Sequence, residues 1–441
     1  MARIGVVGGG PAGLAVAHEL GAAGHRISLF EAAPELGGLG RSFLLGDARV
    51  ERYYHFICAD DTGYFRKLDE LGLAGRLRWQ PTRMGFFHRG RLHPWSSVRD
   101  LLAFDGMSLA ARLRYGAGLF YCSRLSSWGR LDGIAAEPWL RRLVGREAYD
   151  TTWAPLLDLK FGHHAARISA AWVWHRVRRV ARSRRTPLSR ERLGFLAGGT
   201  EVLVEALEGE LRRRGVALHA ATPIERIVIE NGRAVGLRTA GGEVHDCDRV
   251  VVAAPLPAFV RMAPDLPEGY RRQLAETDFL AVRCVTMLLA EPLTPYFWLN
   301  VHDQRISWNG CIELTNLNPD AAPDGAHVLY VPYYLPREHP RFKLAPEDLY
   351  RATLSGLRLV NPRFDEDWVR AWAVSTDPYA QVVCPVGFGA RVPAHRTPVA
   401  GLYLIESSQL YPSDRTISGT LDLARETAAL IAAETPAGAP S

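Results

Sequence analysis

The first 31 residues contain the pattern that most constrains the fold of this 441-residue chain. Residues 3–8 predict a short buried strand, and residues 8–13, with the sequence GGGPAG, fit the pattern GxGxxG. An alanine- and leucine-rich helix is predicted over residues 14–23, and a second strand over residues 26–30 ends at Glu31. A strand, a glycine-rich turn, a helix and a second strand in this order predict a βαβ unit of a Rossmann-like α/β fold.

The residues of this turn have the properties that binding of a dinucleotide requires. Gly8 permits a tight turn, Gly10 lets the backbone approach a pyrophosphate, and Gly13 lets the helix pack closely on the strand. Pro11 and Ala12 lie just before the predicted helix, whose N-terminus would supply N–H donors and a positive dipole. We therefore expect these five residues to contact a dinucleotide.

A second glycine cluster follows Glu31 after five residues and carries a family resemblance. Glu31 can accept hydrogen bonds from an adenosine ribose and would repel a 2′-phosphate. The spacing ExxxxxGG resembles the FAD family of amine oxidases, phytoene desaturases, protoporphyrinogen oxidases and UDP-galactopyranose mutase, and residues 37–42 resemble the GGxxRS of protoporphyrinogen oxidases. The resemblance implies FAD as cofactor, with Gly38, Arg41 and Ser42 beside it. A surface arginine is the alternative for Arg41.

The resemblance implies an α/β fold in two parts. One is a Rossmann-like FAD-binding domain of the glutathione-reductase-2 type, built from discontinuous segments. The other is an α+β substrate domain with an antiparallel sheet and a helical insertion. The expected segments are 1–75, 193–255 and 385–435 for the FAD-binding domain, 76–192 and 256–384 for the substrate domain, and 436–441 for a flexible tail.

Three further cofactor contacts follow from the resemblance. In the family, the residue that matches Ile224 meets the adenine through its backbone. Glu406 lies where the family usually has Gly-Asp, and we transfer to it the contact with the ribityl chain. Ile417 precedes a helix predicted over residues 418–433, whose N-terminus would face the flavin pyrimidine ring and stabilise its negative charge.

The predicted substrate domain combines strands and helices. Its first segment is expected to be mainly helical, and one helix would carry an apolar face of Leu109, Leu113, Ala117 and Phe120. In its second segment, strands are predicted over residues 281–290, 296–301, 305–314 and 326–334, and a helix over residues 346–360. In the FAD-binding domain, a helix is predicted over residues 201–213 and a strand over residues 224–230.

Positive charge is concentrated in the substrate domain. Residues 76–192 contain 23 basic and 8 acidic residues, hence +15, whereas the rest of the chain has 30 and 39, hence −9. Within residues 176–192 lie eight arginines: Arg176, Arg178, Arg179, Arg182, Arg184, Arg185, Arg190 and Arg192. A solvated face, contact with an anionic membrane, and binding of a phosphorylated or carboxylated substrate remain open. Nucleic acid is not expected, because no binding module for it is present.

His55 is the candidate catalytic residue. It lies in residues 52–56, where related flavoproteins place residues beside the isoalloxazine, and this stretch resembles the histidine-containing strand of UDP-galactopyranose mutase. His55 is the ionisable group there that suits proton transfer near neutral pH, although a structural histidine is the alternative. Lys160 could contact a substrate or simply end a helix.

No metal site, disulfide or membrane span is expected. The six cysteines form no CxxC pattern and predict free thiols, and His163 and His164 should point apart on a helix. No apolar run reaches about 18 residues. We expect a cytoplasmic protein, with peripheral contact to the inner face of the membrane through residues 176–192 as a further expectation.

These features and the resemblance favour an FAD-dependent oxidoreductase, a dehydrogenase, oxidase or desaturase. It would remove a hydride from a C–C or C–N bond of an amphiphilic or anionic small molecule, which could be lipid-linked. One alternative is a redox-neutral isomerase resembling UDP-galactopyranose mutase and acting on a nucleotide- or lipid-linked sugar. Another is a non-catalytic, prenyl-binding protein that resembles the escort proteins of this fold.

Overall fold

The computed structural model describes residues 1–182 and 191–434. Arg184, Arg185, Arg190 and the predicted tail lie outside these residues. The strands are β1 (Arg3–Val7), β2 (Arg26–Phe30), β3 (Ser42–Leu45), β4 (Ala48–Glu51), β5 (Leu77–Pro81), β6 (Met84–His88), β7 (Arg91–Pro94), β8 (Arg192–Leu196), β9 (Ala217–His219), β10 (Ile224–Glu230), β11 (Arg233–Thr239), β12 (Val244–Asp246), β13 (Arg249–Val252), β14 (Phe279–Leu289), β15 (Trp298–His302), β16 (Gly310–Glu313), β17 (His327–Pro336), β18 (Val369–Val382) and β19 (Leu402–Leu404).

The α-helices connect and cover these strands. They are α1 (Pro11–Ala22), α2 (Thr62–Glu70), α3 (Val98–Ala103), α4 (Leu109–Arg124), α5 (Gly129–Asp132), α6 (Ala136–Val144), α7 (Arg146–Ala148), α8 (Ala154–Phe161), α9 (Ala170–Arg182), α10 (Glu201–Arg213), α11 (Leu256–Met262), α12 (Glu268–Ala275), α13 (Pro346–Val360) and α14 (Ile417–Glu434).

A five-stranded parallel sheet with the order β19–β13–β1–β2–β9 confirms the Rossmann-like fold. Its central strands are apolar along their length, because helices cover both faces of a parallel sheet. Leu14 of α1 and Ile431 of α14 share one buried cluster with Val6 and Leu29 of the sheet. The sheet therefore joins the first and last parts of the chain in one core.

The strands β10, β11 and β12 form a separate antiparallel sheet. The turn between β10 and β11 contains Asn231 and Gly232, both with positive φ angles, 49° and 74°. Asparagine and glycine are the residues that two-residue hairpin turns of this kind favour. The sequence predicted β10 with the bounds that the structure has.

A mixed seven-stranded sheet, with the order β18–β14–β17–β16–β15–β6–β7, forms the centre of the substrate domain. The predicted sheet was purely antiparallel, whereas β15 pairs in parallel with β6. The strands β6 and β7 come from residues 76–192, which were expected to be mainly helical. The strand β18 was not predicted, because Pro378 interrupts its pattern. Proline is tolerated in this strand because β18 lies at the edge of the sheet.

Helices from residues 98–182 form the expected insertion. Helix α4 buries Ala111, Tyr115 and Cys122, whereas Leu113 and Phe120 of its predicted apolar face are 56% and 59% exposed. That apolar face thus points away from the core. The six cysteines are buried free thiols, as predicted. Within residues 1–182 and 191–434, no helix combines the length and the apolar character that a membrane span needs.

Candidate active site

The main cavity of the described chain has a volume of about 1840 Å³ and is lined by residues of both large sheets and of the helical insertion. From the predicted cofactor site, its lining includes Gly8, Gly10, Glu31, Gly38, Ser42, Ile224, Glu406 and Ile417. From the substrate domain it includes Lys160, Arg176, Trp298 and Tyr334. The cavity therefore connects the glycine-rich turn with the helical insertion.

The glycine-rich turn has the geometry that its sequence predicts. Gly8 has a φ of 105°, and a Cβ atom there would overlap the carbonyl oxygen of Ala253. A Cβ atom at Gly13 would overlap the carbonyl oxygen of Gly8, so helix and turn pack closely. At Gly10, by contrast, a Cβ atom would meet no heavy atom within 4 Å. The open space at Gly10 faces the cavity, where a diphosphate can approach the backbone.

The carboxylate of Glu31 is held by backbone N–H groups of the glycine-rich turn and of the residues that follow Glu31. It accepts hydrogen bonds from the backbone N–H of Gly9 at 2.6 Å and of Ala33 at 2.8 Å. The side chain is partly exposed and lines the cavity. A carboxylate fixed in this way is oriented before a ligand binds.

The second glycine cluster packs against the first. The N–H of Gly37 donates to the carbonyl of Gly9 at 2.8 Å, and Gly38, with a φ of 52°, lies against Gly10. Ser42 is hydrogen-bonded to Glu201 and lines the cavity. The guanidinium of Arg41 forms an ion pair with Glu35 instead, and Arg41 is not among the lining residues that the structure describes. The expected position of Arg41 beside FAD stays a prediction.

The remaining predicted cofactor contacts lie on three later elements. Ile224 begins β10 and is 9% exposed. Glu406 is buried, and its carboxylate accepts hydrogen bonds from Ser407 and Ser408 at 2.7 Å. Burial raises the pKa of Glu406 above its usual value, although these bonds oppose the effect. Ile417 is the first residue of α14, so the N-terminus of this helix opens onto the cavity.

His55 lies on the cavity beside a buried carboxylate that the sequence prediction missed. Its Nδ1 atom is 3.0 Å from Oε2 of Glu51, which also accepts its backbone N–H at 3.1 Å. The other carboxylate oxygen of Glu51 accepts the N–H of Thr200 at 2.5 Å. Glu51 therefore fixes His55 against the start of α10. Glu51 and His55 are four positions apart in sequence, whereas the contact between Glu51 and Thr200 is long-range, so no local sequence pattern predicts it.

At the other end of the cavity, Asp414 joins helix α9 to the loop before α14. Its carboxylate accepts hydrogen bonds from Nε1 of Trp172 at 2.8 Å and from Arg176 at 2.7 Å. Burial opposes ionisation, but Arg176, Lys160 and His175 outweigh it and hold the pKa of Asp414 at about 2. Asp414 was not among the predicted site residues, because its partners are more than 200 residues away in the chain.

The arginines of α9 have two different environments. Arg176 and Arg179 line the cavity and form ion pairs with Asp414 and Asp61, at 2.7 Å and 3.2 Å. Arg182 also lines the cavity and is exposed. The positive charges of Arg176 and Arg179 are thus compensated by carboxylates inside the protein.

His163 and His164 do not point apart, contrary to the prediction. They lie in a 3₁₀ segment, their ring centres are 3.9 Å apart, and Glu338 completes a group whose possible ligand atoms lie within 4.8 Å. The guanidinium of Arg167 lies 2.6 Å from Nδ1 of His164 and pairs with Asp278. This positive charge disfavours a cation there, and the absence of a metal stays a prediction.

The residues around the cavity fit an FAD molecule. The turn offers an open approach at Gly10, Glu31 offers a carboxylate, and the N-terminus of α14 opens onto the same space. The buried hydroxyl of Tyr53 also lines the cavity and has no hydrogen-bond partner within the described part of the chain. Such a hydroxyl is expected to be satisfied by a bound group.

A parallel sheet with this turn, beside a second sheet across one cavity, defines a dinucleotide-binding protein of the Rossmann-like class. Residues 11–431 match the sequence model of the family described as flavin containing amine oxidoreductase. The chain belongs to this family, which implies FAD as its cofactor.

Individual relatives are more distant. The chain is 26% identical over 289 residues to the hydroxyneurosporene desaturase of Rubrivivax gelatinosus, a match that covers 59% of this chain and 54% of that protein. Matches to two further carotenoid desaturases span 32% and 61% of those proteins. The chain thus matches less than two thirds of the length of these relatives.

Solved structures share the fold over nearly the whole chain. A protein proposed to be a protoporphyrinogen oxidase, from Exiguobacterium sp. 255-15, has a TM-score of 0.78 and 21% identity, and the match covers 98% of this chain and 99% of that one. Reduced UDP-galactopyranose mutase has a TM-score of 0.74 and 16% identity, with 99% and 96% covered. At these identities the likeness concerns the fold alone.

Proposed function

We propose that this protein is a flavin-dependent oxidoreductase that removes a hydride from a C–C or C–N bond of an amphiphilic, anionic small molecule. When bound, FAD supplies the hydride acceptor. Support comes from the shared cavity: the predicted FAD contacts other than Gly13 and Arg41 line one continuous space with the basic side chains Lys160, Arg182 and Arg415. Desaturases of carotenoids among the relatives are compatible with an apolar substrate body.

The residues of the turn and of the C-terminal helix would bind and orient the cofactor. We propose that Gly8, Gly10, Pro11, Ala12 and Gly13 accommodate the diphosphate, as predicted from the sequence. Other proposed contacts are Glu31 to the ribose, Gly38, Arg41 and Ser42 near the diphosphate and flavin, Ile224 to the adenine, Glu406 to the ribityl chain, and Ile417 below the pyrimidine ring.

We propose that His55 holds or moves a proton next to the reacting bond. The side chain is 24% exposed and lines the cavity, and Glu51 orients its ring through Nδ1. The other ring nitrogen, Nε2, is then available for a substrate. The aromatic side chains of Tyr54, Trp298 and Tyr334 line the same space and would exclude water from it.

Anaerobic mixing of the FAD-loaded protein with candidate substrates tests the oxidation. We expect an amphiphilic anion to bleach the flavin absorption, and the oxidised product should form in one equivalent per flavin. Bleaching by small neutral amines alone, with activity insensitive to salt, would contradict the proposed substrate class.

A redox-neutral isomerase is the second candidate, favoured by the structural likeness to UDP-galactopyranose mutase and by the position of His55. The two functions differ in how reducing equivalents are used. An isomerase would complete many turnovers per reducing equivalent without an acceptor, whereas the proposed oxidation uses one acceptor per product.

We also propose that the protein acts in the cytoplasm, with its cavity entrance against the inner face of an anionic membrane. The outward face of α4 exposes Leu113 and Phe120, and α3 exposes Leu102 at 41%. Phe120 also lines the cavity, as do the exposed cations Arg124 and Arg182. Apolar side chains flanked by arginines suit an anionic lipid surface. This surface extends the expected contact, much of which lies outside the described residues.

Sedimentation with lipid vesicles tests this contact. We expect the protein to bind vesicles that contain phosphatidylglycerol but not vesicles of phosphatidylcholine alone. The double variant L113Q/F120Q should lose about ten-fold in affinity, because two apolar side chains no longer enter the lipid. The matched control L44Q/V244Q changes two exposed apolar residues elsewhere and should bind normally. Equal losses in both variants would contradict the assignment of this face.

A further inference from the structure

Lys160 is a buried amine that faces the main cavity among aromatic rings. It lies in the last turn of α8, is 7% exposed and belongs to the cavity lining. Its Nζ atom is 5.0 Å from the ring centre of Trp172 and 4.9 Å from that of Tyr334. Within residues 1–182 and 191–434 it forms no ion pair and no hydrogen bond. A buried amine in this position is expected to be completed by a ligand.

The charged groups around Lys160 come from several elements. Burial, with the charges of Arg176 and Arg415, lowers the pKa of Lys160 to about 7, and Asp414 and Cys384 oppose the shift. A pKa in this range makes the amine largely neutral above neutral pH. Lys160 can therefore change its charge under physiological conditions.

This end of the cavity has excess positive charge. Asp414 is ionised and already compensated by Arg176, whereas Arg415 is exposed to the cavity and has no ion pair within the described ranges. The nearby His175 is neutral near neutral pH because burial lowers its pKa, and burial raises the pKa of Tyr334. Of the charged groups that act on Lys160, Asp414 is negative and Arg176 and Arg415 are positive, so they leave +1, which becomes +2 when Lys160 is protonated.

We propose that Lys160 and Arg415 bind the oxyanion group of the substrate, and that Lys160 takes up one proton as this group enters. The anion compensates the positive charge and pairs with the ammonium, so it stabilises the protonated amine. Trp172 and Tyr334 would hold the apolar atoms next to the oxyanion. This inference rests on the proposed function, because it identifies which end of the cavity receives the anionic group.

Calorimetry of decyl sulfate binding to the FAD-loaded protein tests this proposal. The probe has a sulfate group whose charge is constant between about pH 6 and about pH 9, so any proton taken up enters the protein. Titrations at about pH 8, in two buffers with different enthalpies of protonation, should show uptake of about one proton per probe bound. The affinity should fall about five-fold from about pH 7 to about pH 8.

Variants at lysine positions identify the group that takes up the proton. K160M should bind the probe weakly and with no proton uptake. K160R, which stays charged, should bind it without uptake and independently of pH. The matched control K343M removes an exposed lysine outside the cavity and should behave as the wild type. Each variant is compared at equal FAD content, so that K160R still decides the outcome if K160M is unstable.

The proposal is overturned if the wild type fails to bind the probe or binds it without proton uptake. It is also overturned if K160M takes up as many protons as the wild type does. Failure of the proposed function is a separate result, measured as the absence of flavin bleaching by candidate substrates. Proton-coupled binding of decyl sulfate without such bleaching would support the anion site and contradict only the oxidation.

Discussion

At the scale of single residues, the glycine-rich turn shows how one residue type performs different tasks. Gly8 and Gly13 are required by the fold itself, because a side chain at either position would overlap backbone atoms. Gly10 has open space beside it and an ordinary φ of −72°. The protein alone therefore does not require glycine at position 10. A ligand that approaches the backbone does require it.

This contrast leads to a pair of substitutions with different outcomes. G10A should leave the stability of the cofactor-free protein unchanged but weaken FAD binding about ten-fold or more, because the methyl group occupies the approach of the diphosphate. G13A should destabilise the cofactor-free protein by about 1–3 kcal/mol through overpacking. Urea unfolding and FAD titration of both variants separate the effects. Unchanged FAD binding in G10A would contradict the position assigned to the diphosphate.

His55 and Glu51 form the second pair of residues with a testable division of roles. H55Q should lower kcat about 10²- to 10⁴-fold if the ring moves a proton. E51Q replaces an oxygen that accepts two bonds from His55, so it should lower kcat about ten-fold while KM and FAD content stay unchanged.

Steady-state kinetics of the double variant H55Q/E51Q provides the decisive comparison. If Glu51 acts through His55, the double variant should be no slower than H55Q alone. H163Q, which changes an exposed histidine outside the cavity, is the control and should retain full activity. Multiplied losses in the double variant would show that Glu51 contributes independently of His55.

The cofactor site was more predictable from the sequence than the substrate end. Gly8, Gly10, Gly13 and Glu31 lie within 24 residues, so their spacing fixes their local geometry. Glu51 and Asp414 gain their roles from partners that are distant in the chain, such as Thr200 and Trp172. Only the folded structure brings these groups together. The sequence around Lys160 likewise did not predict that Trp172 and Tyr334 lie beside its amine.

At the scale of elements, β16 carries a buried acid inside the mixed sheet. Glu313 is 1% exposed, and its carboxylate accepts the backbone N–H groups of Leu293 and Thr294 at 3.1 Å and 2.9 Å. Burial raises the pKa of Glu313 to about 8, although these N–H groups oppose the shift. The folded protein therefore binds a proton here that the unfolded chain releases at lower pH.

The sign of this shift predicts how stability depends on pH. Between the usual pKa of a glutamate, about 4.3, and about 8, the folded state binds more protons, so stability should fall as pH rises. The free energy of unfolding, measured with urea, should differ less between about pH 5 and about pH 8 in E313Q than in the wild type, by about 1–3 kcal/mol. The exposed control E347Q should retain the slope of the wild type. An equal slope in E313Q would contradict the raised pKa.

The elements with strong periodicity were predicted with their observed bounds, as for β2, β10, α10 and α13. The strand β18 was missed because its residues are mostly half-buried and Pro378 interrupts the pattern. The strands β6 and β7 were missed because they are short, with five and four residues, and because β6 depends on pairing with β15 and β7 on pairing with β6. Tertiary pairing thus determined these strands more than local propensity did.

At the scale of the whole molecule, two sheets and a helical insertion line the main cavity. The parallel sheet collects strands from residues 3–7 to 402–404, which places the first turn and the last helix at one site. The mixed sheet and α9 supply the opposite wall. The division of the chain into the two predicted sets of segments remains our proposal. The cavity itself explains how a cofactor and an amphiphilic anion can be held in one space.

The central claim is that the glycine-rich turn binds FAD with its flavin ring in this cavity. The visible absorption spectrum of the purified protein, with identification of the cofactor released on denaturation, tests it most directly. We predict the yellow bands of an oxidised flavin, about one FAD per chain, and loss of these bands in G10A. A protein that releases a nicotinamide dinucleotide, or that binds no FAD when it is supplied, would contradict the claim.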